Sequence, residues 1–477
     1  KARHLVSHKP SKRKAPLYLK FLRLKPCRIW LGRHLKKIIS KRARKAHYPA
    51  PYSLIDLWVQ HGGSDTEAYH AEAKSISKLL FTTTAKNLVR VYFLRQKLSG
   101  LSELASPVQS AHIIGAGVMG ANIAAWCSLK KIIVTVQDSK KDIIEPALIK
   151  AASLFKRRLK DPETLDSAHK RLRPDPEGKM IGDADIVIEA IIEQLDAKKA
   201  LLENIEQDLK STAILATNTS SIDIEQLSGN LEHPERFVGL HFFNPVDRLP
   251  LVEVIRSDLT NTKYFEDAIS FVRHIDKLPL PCRSVPGFVV NRVLAPYMLE
   301  ALYAYQEGYQ LETIDEAAIQ FGMPTGPIEL ADRVGLDIAL NVTQILKDKL
   351  PNANLELLID KVKTGNLGVK TGKGFYTFDG GRPKKKKEYA KPGIELKERL
   401  VLALVNEAMA CFEDKVVEDL DLIDAGIVFG AGFAPFRGGP IQYARERGVK
   451  SVIDQLNLFE EKLGIRFKPN EGWQKLI

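Results

Sequence analysis

The sequence predicts an α/β fold, a doubly wound parallel sheet, followed by two all-α domains. Three observations carry that prediction. A short apolar run at 111–114 enters a glycine turn and leaves as a helix. Apolar strand-like runs then alternate with helical stretches, the rhythm of a parallel sheet with helices on both faces. From about Pro286 the pattern changes to long amphipathic helices that carry a weak internal repeat.

The chain divides as follows. Residues 1–105 show helical periodicity in pieces, SLIDLWVQHGG and AYHAEAKSISKLLFTTTAKNLVRVYFLR, and read as a helical remnant. Its basic amphipathic stretch LYLKFLRLKPCRIWLGRHLKKIISK (17–41) suits either a solvated helix face or a weak contact with an anionic membrane. Residues 106–285 hold the sheet, with DADIVIEAIIE (183–193), TAILATNTSS (212–221) and RFVGLHFFNP (236–245) as strands that run into polar residues. Residues 286–385 and 386–477 form the two helical domains, joined by GGRPKKKKEYAKPG (380–393). In their repeat Glu300 matches Glu407, Ile314-Asp315 matches Ile423-Asp424, and Phe321-Gly322 matches Phe429-Gly430. An offset of about 107 to 113 residues is too long for a solenoid and indicates two related domains.

At 477 residues and 44% hydrophobic, the chain can bury several cores. Its net charge of +13 gathers in the first fifty residues and at Lys384–Lys387, which suits acidic substrates or surfaces. Nucleic acid is not an expected partner, because the basic runs lack interleaved stacking aromatics. Cys27, Cys127, Cys282 and Cys411 form no C-x-x-C pair, which argues against zinc and disulfides and for a reducing compartment. The stretch from Ala111 to Leu129 is uncharged, but its glycines, His112 and Asn122 argue against a membrane span. There is no secretory signal, and the first residue, Lys1 where Met would stand, suggests a processed or expressed fragment.

In AHIIGAGVMGANIAAWCSLKKIIVTVQD (111–138), Gly115, Gly117 and Gly120 fill the G-x-G-x-x-G pattern of a Rossmann-like turn. The first permits the tight turn, the second lets backbone approach a pyrophosphate, and the third lets helix pack on strand. Asp138, about twenty residues on, is placed to accept both ribose hydroxyls and repel a 2′-phosphate, which favours NAD. Lys140 and Lys141 would suit NADP. Ligands gather beyond the carboxyl ends of such strands, where Glu193, Asn218, Ser220, His241 and Asn244 fall. A histidine at a strand end is often structural. His241 also suits a base that takes a hydroxyl proton while hydride leaves, and Glu253 at the next strand would fix its tautomer.

GAGVMG, VIEAIIE, NTSSI, GLHFFNPV, LPLVEV and PGFVVNR, in this order, resemble the 3-hydroxyacyl-CoA dehydrogenase family. GPIELAD, GNLGVKTGKGFY and FGAGFAPFRGGP extend the resemblance over about 106–477 and look like the alpha subunit of the fatty-oxidation multifunctional enzyme. The resemblance implies two 3-hydroxyacyl-CoA dehydrogenase C-terminal domains and NAD-dependent oxidation of (3S)-3-hydroxyacyl-CoA in β-oxidation. It implies His241 as base, Glu253 as its partner, and Ser220 and Asn291 on the substrate oxygen. Met119, Glu193, Lys198 and Asn244 join the cofactor site. Ser220 as a helix cap, Asn291 as a domain-junction bond and Lys198 as a surface charge are the plain alternatives. Residues 1–105 resemble only the end of the hydratase/isomerase region, so enoyl-CoA hydration is expected to be absent.

The implied partners are an acyl-CoA, a thiolase beta subunit and further copies of the chain; the implied home is the bacterial cytoplasm, with the mitochondrial matrix as alternative. A free-hydroxyacid dehydrogenase and a non-catalytic scaffold are the rival readings. Lys156–Arg158 is a guessed contact for the CoA tail. Three positions depart from the family pattern: Asn122 in the dinucleotide helix, Ser284 before the P-G-F turn, and Phe429 where some relatives have a substrate-contacting Tyr.

Overall fold

The computed structural model describes residues 21–22, 24–62, 66–102, 105–345 and 355–477. The basic run at 11–14 and part of the 17–41 segment lie outside them. The chain forms two compact units, Lys1–Val89 and Arg90–Ile477.

In the first unit, helix Lys25–Ser40 packs on helix Ala50–His61 through Gly32, where a Cβ would stand 2.5 Å from Val59. The Arg28 guanidinium donates to the Val59 carbonyl (3.1 Å) and the Tyr52 hydroxyl to the Ala43 carbonyl (2.7 Å). Helix Thr66–Leu80 follows with no buried residue.

The second unit begins inside helix Thr83–Ser99. The reason is packing: Leu94 and Leu98 are buried in its core, and the Ser99 carbonyl accepts from Arg273 (2.6 Å). An eight-stranded sheet follows in the order β3-β2-β1-β4-β5-β6-β7-β8, with β1 Ser110–Ile114, β2 Ile133–Gln137, β3 Leu172–Pro174, β4 Ile186–Glu189, β5 Ile214–Thr217, β6 Phe237–Phe242, β7 Leu251–Arg256 and β8 Leu278–Arg283. The order reverses between β1 and β4, the crevice where such sheets bind nucleotides.

The sheet is not wholly parallel. β7 runs antiparallel to β6, because residues 243–250 are too few for a crossover, which needs a dozen or more. That reversal sets His241 directly opposite Glu253. β8, with Pro279 and Pro281, is an edge strand, the place where a sheet tolerates proline. One face of the sheet packs on its own helices. The other shares a continuous core with the helical region, where Cβ atoms on Gly426 and Gly430 would stand 2.7 Å from Leu280 and Leu251.

The two helical halves repeat in three dimensions. Helix Val290–Gln306 lies against its counterpart Ile394–Glu413, and their charges cross over. Arg292 donates to Glu407 (2.6 Å) and Asp414 (2.7 Å); Arg399, 107 residues later, donates to Glu300 (2.8 Å) and Glu307 (2.7 Å). Each arginine is neutralised by the other half, the reciprocity of a two-fold axis. Asp315 and Asp424 also correspond. Asp315 accepts from the Ile328 amide (2.9 Å) and Asp424 from the Ile441 amide (2.7 Å), each at a Gly-Pro-Ile helix start. A Cβ on Gly326 or Gly439 would stand within 2.5 Å of its aspartate.

Each aspartate also receives a cation from a connecting segment. Lys385, in the stretch expected as a plain linker, reaches Asp315 (2.9 Å) and Glu329 (2.8 Å), while Arg90 reaches Asp424 (2.8 Å) and Asp421 (2.5 Å). Residues 380–393 are therefore strapped to the first helical half: the Lys386 amide donates to Glu312 and the Ala390 amide to Gln310.

Burial pushes the Asp424 carboxyl up to about 6, against the opposing pull of Arg90. A folded-state value above the unfolded one means that stability is present at low pH and lost as pH rises through that value. Arg90→Met removes the opposing charge and moves the value higher still. Its destabilisation should grow from about pH 5 to pH 8, reaching about 3 kcal/mol as the carboxylate is forced to ionise alone, and thermal melts across that range measure it.

Candidate active site

The glycine turn divides its labour as the chemistry of a dinucleotide site requires. Gly115 has φ +103°, and a Cβ on it would stand 2.6 Å from the Ala190 carbonyl of the neighbouring turn. A Cβ on Gly120 would stand 1.8 Å from the Gly115 carbonyl, so helix Val118–Leu129 closes on β1 only without one. Gly117 differs: it precedes the first helical residue, is exposed, and has nothing within 4 Å of its missing Cβ. The helix N-terminus thus opens onto a cradle that a side chain would fill, a fit for a pyrophosphate.

Asp138 sits on the lip of this cradle, accepting from the Ala116 amide (2.7 Å) through one oxygen and from the Lys140 amide (2.9 Å) through the other. Lys141 lies 3.5 Å from Glu177, so its charge is partly answered within the fold. Met119 is half-buried on the first helical turn. The Asn122 amide donates back to the Val118 carbonyl (2.8 Å), which the helix accommodates.

At the ends of β4 and β5 a buried ion network shapes the crevice. Lys198 is no surface charge: it is fully buried, 2.7 Å from Glu189 and 3.4 Å from Glu193. Glu189 accepts further from the Ile191 amide and the Thr217 hydroxyl. One oxygen of Glu193 gathers the Thr219 hydroxyl (2.6 Å), the Ser220 amide (2.7 Å) and hydroxyl (3.0 Å), and the Ser221 amide (3.1 Å). Burial opposes this carboxylate, but Lys198 and the gathered donors prevail and hold it below the usual carboxylate range. Ser220 is not a helix cap, since the next helix is preceded by Asp223. Asn291 donates to the Ser220 carbonyl (2.9 Å), so these two candidate residues meet across the junction of sheet and helices.

His241 and Glu253 form the tightest pair in the crevice. Nδ1 of the imidazole lies 2.6 Å from Glu253 Oε2, and the ring packs against Phe243 and Phe288 with centroids 4.4 and 5.8 Å away. Glu253 is fully buried. Its other oxygen accepts from the Val289 (3.0 Å) and Val290 (2.9 Å) amides where helix Val290–Gln306 begins. All of its strong partners are donors, and a carboxylate accepting from Nδ1 fixes the ring proton there, leaving the Nε2 lone pair free.

Asn244 is exposed on the loop after β6. That loop is held from beneath by Lys277, whose ammonium donates to the Val246 and Leu249 (2.7 Å) carbonyls and lies 4.2 Å from the Trp126 ring; burial pulls its pKa down to about 8. Ser284 anchors its surroundings after all, accepting from the Ile224 amide (2.9 Å). Phe429 packs into the core. Of the Lys156–Arg158 trio, Arg158 donates to the Asp247 carbonyl (2.7 Å) and its carboxylate lies 3.3 Å away, so that charge is answered locally.

Glu189 and Lys277 were not singled out from the sequence. For Glu189 a signal existed: an acid closing the apolar run IVIE, nine residues before a lysine. Lys277 offers none, because the loop it holds is distant in the chain.

Two pairs of measurements check this geometry. Gly117→Ala should leave the melting temperature unchanged and weaken NAD binding by at least about tenfold, the loss of one good contact, whereas Gly120→Ala should unfold more readily by about 1–3 kcal/mol. Lys198→Met should cost about 3–5 kcal/mol by leaving Glu189 buried without its cation. It should also raise the Glu193 pKa, so that the acid limb of the kcat/KM profile moves to higher pH.

Comparison with known proteins gives the family. Residues 110–285 match the model of the 3-hydroxyacyl-CoA dehydrogenase NAD binding domain, and 287–378 that of its C-terminal domain. The chain is 34% identical over 474 residues to a fatty acid oxidation complex subunit alpha from Vibrio campbellii, covering 93% of this chain and 66% of that one. It therefore spans slightly less than two thirds of that relative's length. A subunit of the same name from Vibrio cholerae is 33% identical, with 99% of this chain and 70% of that one covered. Among solved structures, 3-hydroxybutyryl-CoA dehydrogenase from Escherichia coli aligns with a TM-score of 0.67 at 25% identity, covering 77% of this chain and 98% of that one. The dehydrogenase part of multifunctional enzyme 1 from C. elegans aligns with a TM-score of 0.59 at 27% identity, covering 82% and 99%. With its glycine cradle, its His241–Glu253 pair and these relatives, the chain belongs to the 3-hydroxyacyl-CoA dehydrogenase family.

Proposed function

We propose that this chain oxidises (3S)-3-hydroxyacyl-CoA to 3-oxoacyl-CoA with NAD, a step of fatty acid β-oxidation. The observation that carries the reading is the buried His241–Glu253 pair on β6 and β7 of the sheet whose β1 opens into the dinucleotide turn. The nicotinamide, when bound, accepts the hydride from C3. The protein's share is the proton. Nε2 of His241 takes it from the C3 hydroxyl, and the Glu253 charge stabilises the imidazolium that results. The Ser220 hydroxyl, 3.0 Å from Glu193, turns its one O–H onto the C3 oxygen of the substrate, whose own proton goes to His241. Asn291, tied to Ser220 by one N–H, holds that serine in place and has a second N–H for the carbonyl that forms.

Two further readings accompany this one. The relatives' name, subunit alpha of a fatty acid oxidation complex, supports assembly with a further subunit, for which we propose a thiolase. The free cysteines, three of them buried, suit a reducing compartment such as a bacterial cytoplasm or a mitochondrial matrix.

His241→Ala should lower kcat by about 10² to 10⁴ with NAD affinity unchanged. Glu253→Gln should lower it by about 10³ to 10⁴, because the amide donates to Nδ1 and forces the proton onto Nε2. NADH production measured with 3-hydroxybutyryl-CoA and with free 3-hydroxybutyrate tests the substrate class at the same time. Losses of only a few fold in both variants, or equal rates on the two substrates, would overturn the reading.

A further inference from the structure

The first 55 residues contain no Asp or Glu, while 17 of the chain's 71 Lys and Arg fall in the first 45. The remaining 54 basic residues face 58 acidic ones, so the rest of the chain is slightly acidic. The excess charge of this protein is therefore a local feature, and five of those seventeen cations lie on one helix.

Helix Lys25–Ser40 has two faces of different chemistry. Arg28, Gly32 and Lys36, spaced four apart, turn inward: the first two meet Val59 of the adjoining helix and Lys36 pairs with Asp56. Trp30, His34 and Lys37 lie about half a turn away, with Lys41 continuing their stripe just past the helix and Arg33 and Ile38 flanking it, all of them exposed. Trp30 is 71% exposed and stacks its indole on the His34 ring, with interplanar angle 9°. Among the described residues Arg33, Lys37 and Lys41 have no acidic partner. Phe21, Leu24 and Ile29 add exposed apolar groups at the same end of the helix.

We propose that this stripe docks the protein on an anionic lipid surface. The headgroups would neutralise the cations, and Trp30 would sit at the boundary between headgroup and acyl chain, the depth an amphipathic indole prefers. Nucleic acid fits less well. Single strands need a groove with successive aromatic platforms, and this helix offers one tryptophan, already stacked on its own histidine. The proposal does not rest on the reading of the active site.

The test is co-sedimentation of the full chain with phosphatidylcholine vesicles and with vesicles rich in phosphatidylglycerol, at low and high salt. Wild type should sediment with the anionic vesicles alone and be released by salt. Each basic residue near an anionic leaflet is worth roughly fivefold in partition, so removing three in R33Q/K37Q/K41Q should weaken binding by on the order of a hundredfold. Its dehydrogenase activity should stay intact. Trp30→Ala should weaken binding by several fold at unchanged salt dependence, and Trp30 emission should shift to the blue on vesicles. Equal binding to neutral vesicles, no binding to either, or triple-variant binding equal to wild type would each overturn the proposal. So would salt-sensitive binding to polyuridylate RNA without binding to anionic vesicles.

Discussion

A single buried carboxylate holds this molecule's parts in working relation. Glu253 accepts from three donors: the His241 imidazole, and the Val289 and Val290 amides at the start of the first long helix beyond the sheet. Taking that charge out of water costs several kcal/mol, and only the full set of donors offsets it. The reacting imidazole and the docking of the helical region are thus two consequences of one electrostatic requirement. A displaced helix would strip the carboxylate of two partners and release the ring.

The same economy recurs at the ends of β4 and β5. Lys198 lets two carboxylates share a dry crevice, and one of them collects the donors of the Thr219–Ser221 turn. Ser220 reaches the helical region through Asn291. The crevice is therefore lined by groups already committed to one another, and little reorganisation remains to be done when a substrate arrives. The cradle at Gly117 has the opposite character, built from absence, with no side chain where a ligand must approach.

Much of this was legible in the sequence, and the failures have physical causes. The glycine pattern is readable because each position imposes a steric demand that only glycine meets, at a fixed spacing along one turn. His241 and Glu253 were readable as types at strand ends, but their pairing depends on β7 reversing direction, which the short 243–250 connection dictates and apolar periodicity does not reveal. β3, three residues long, and β8, with its two prolines, carry too weak a pattern to be seen as strands. Lys198 as a buried cation and Lys385 as the partner of Asp315 are invisible, since a lysine's environment is set by what folds over it. That Leu94 and Leu98 join the second unit's core shows only in three dimensions.

The repeat was visible as matched residues, yet its meaning lies in the exchange of partners. Arg292 serves Glu407 and Asp414, and Arg399 serves Glu300 and Glu307. Neither half can satisfy its own arginine. A gene cut between them would yield two fragments, each with a stranded guanidinium facing where its sister should be. The strap between them serves less as a spacer than as a way to bring each guanidinium to its complement within one chain.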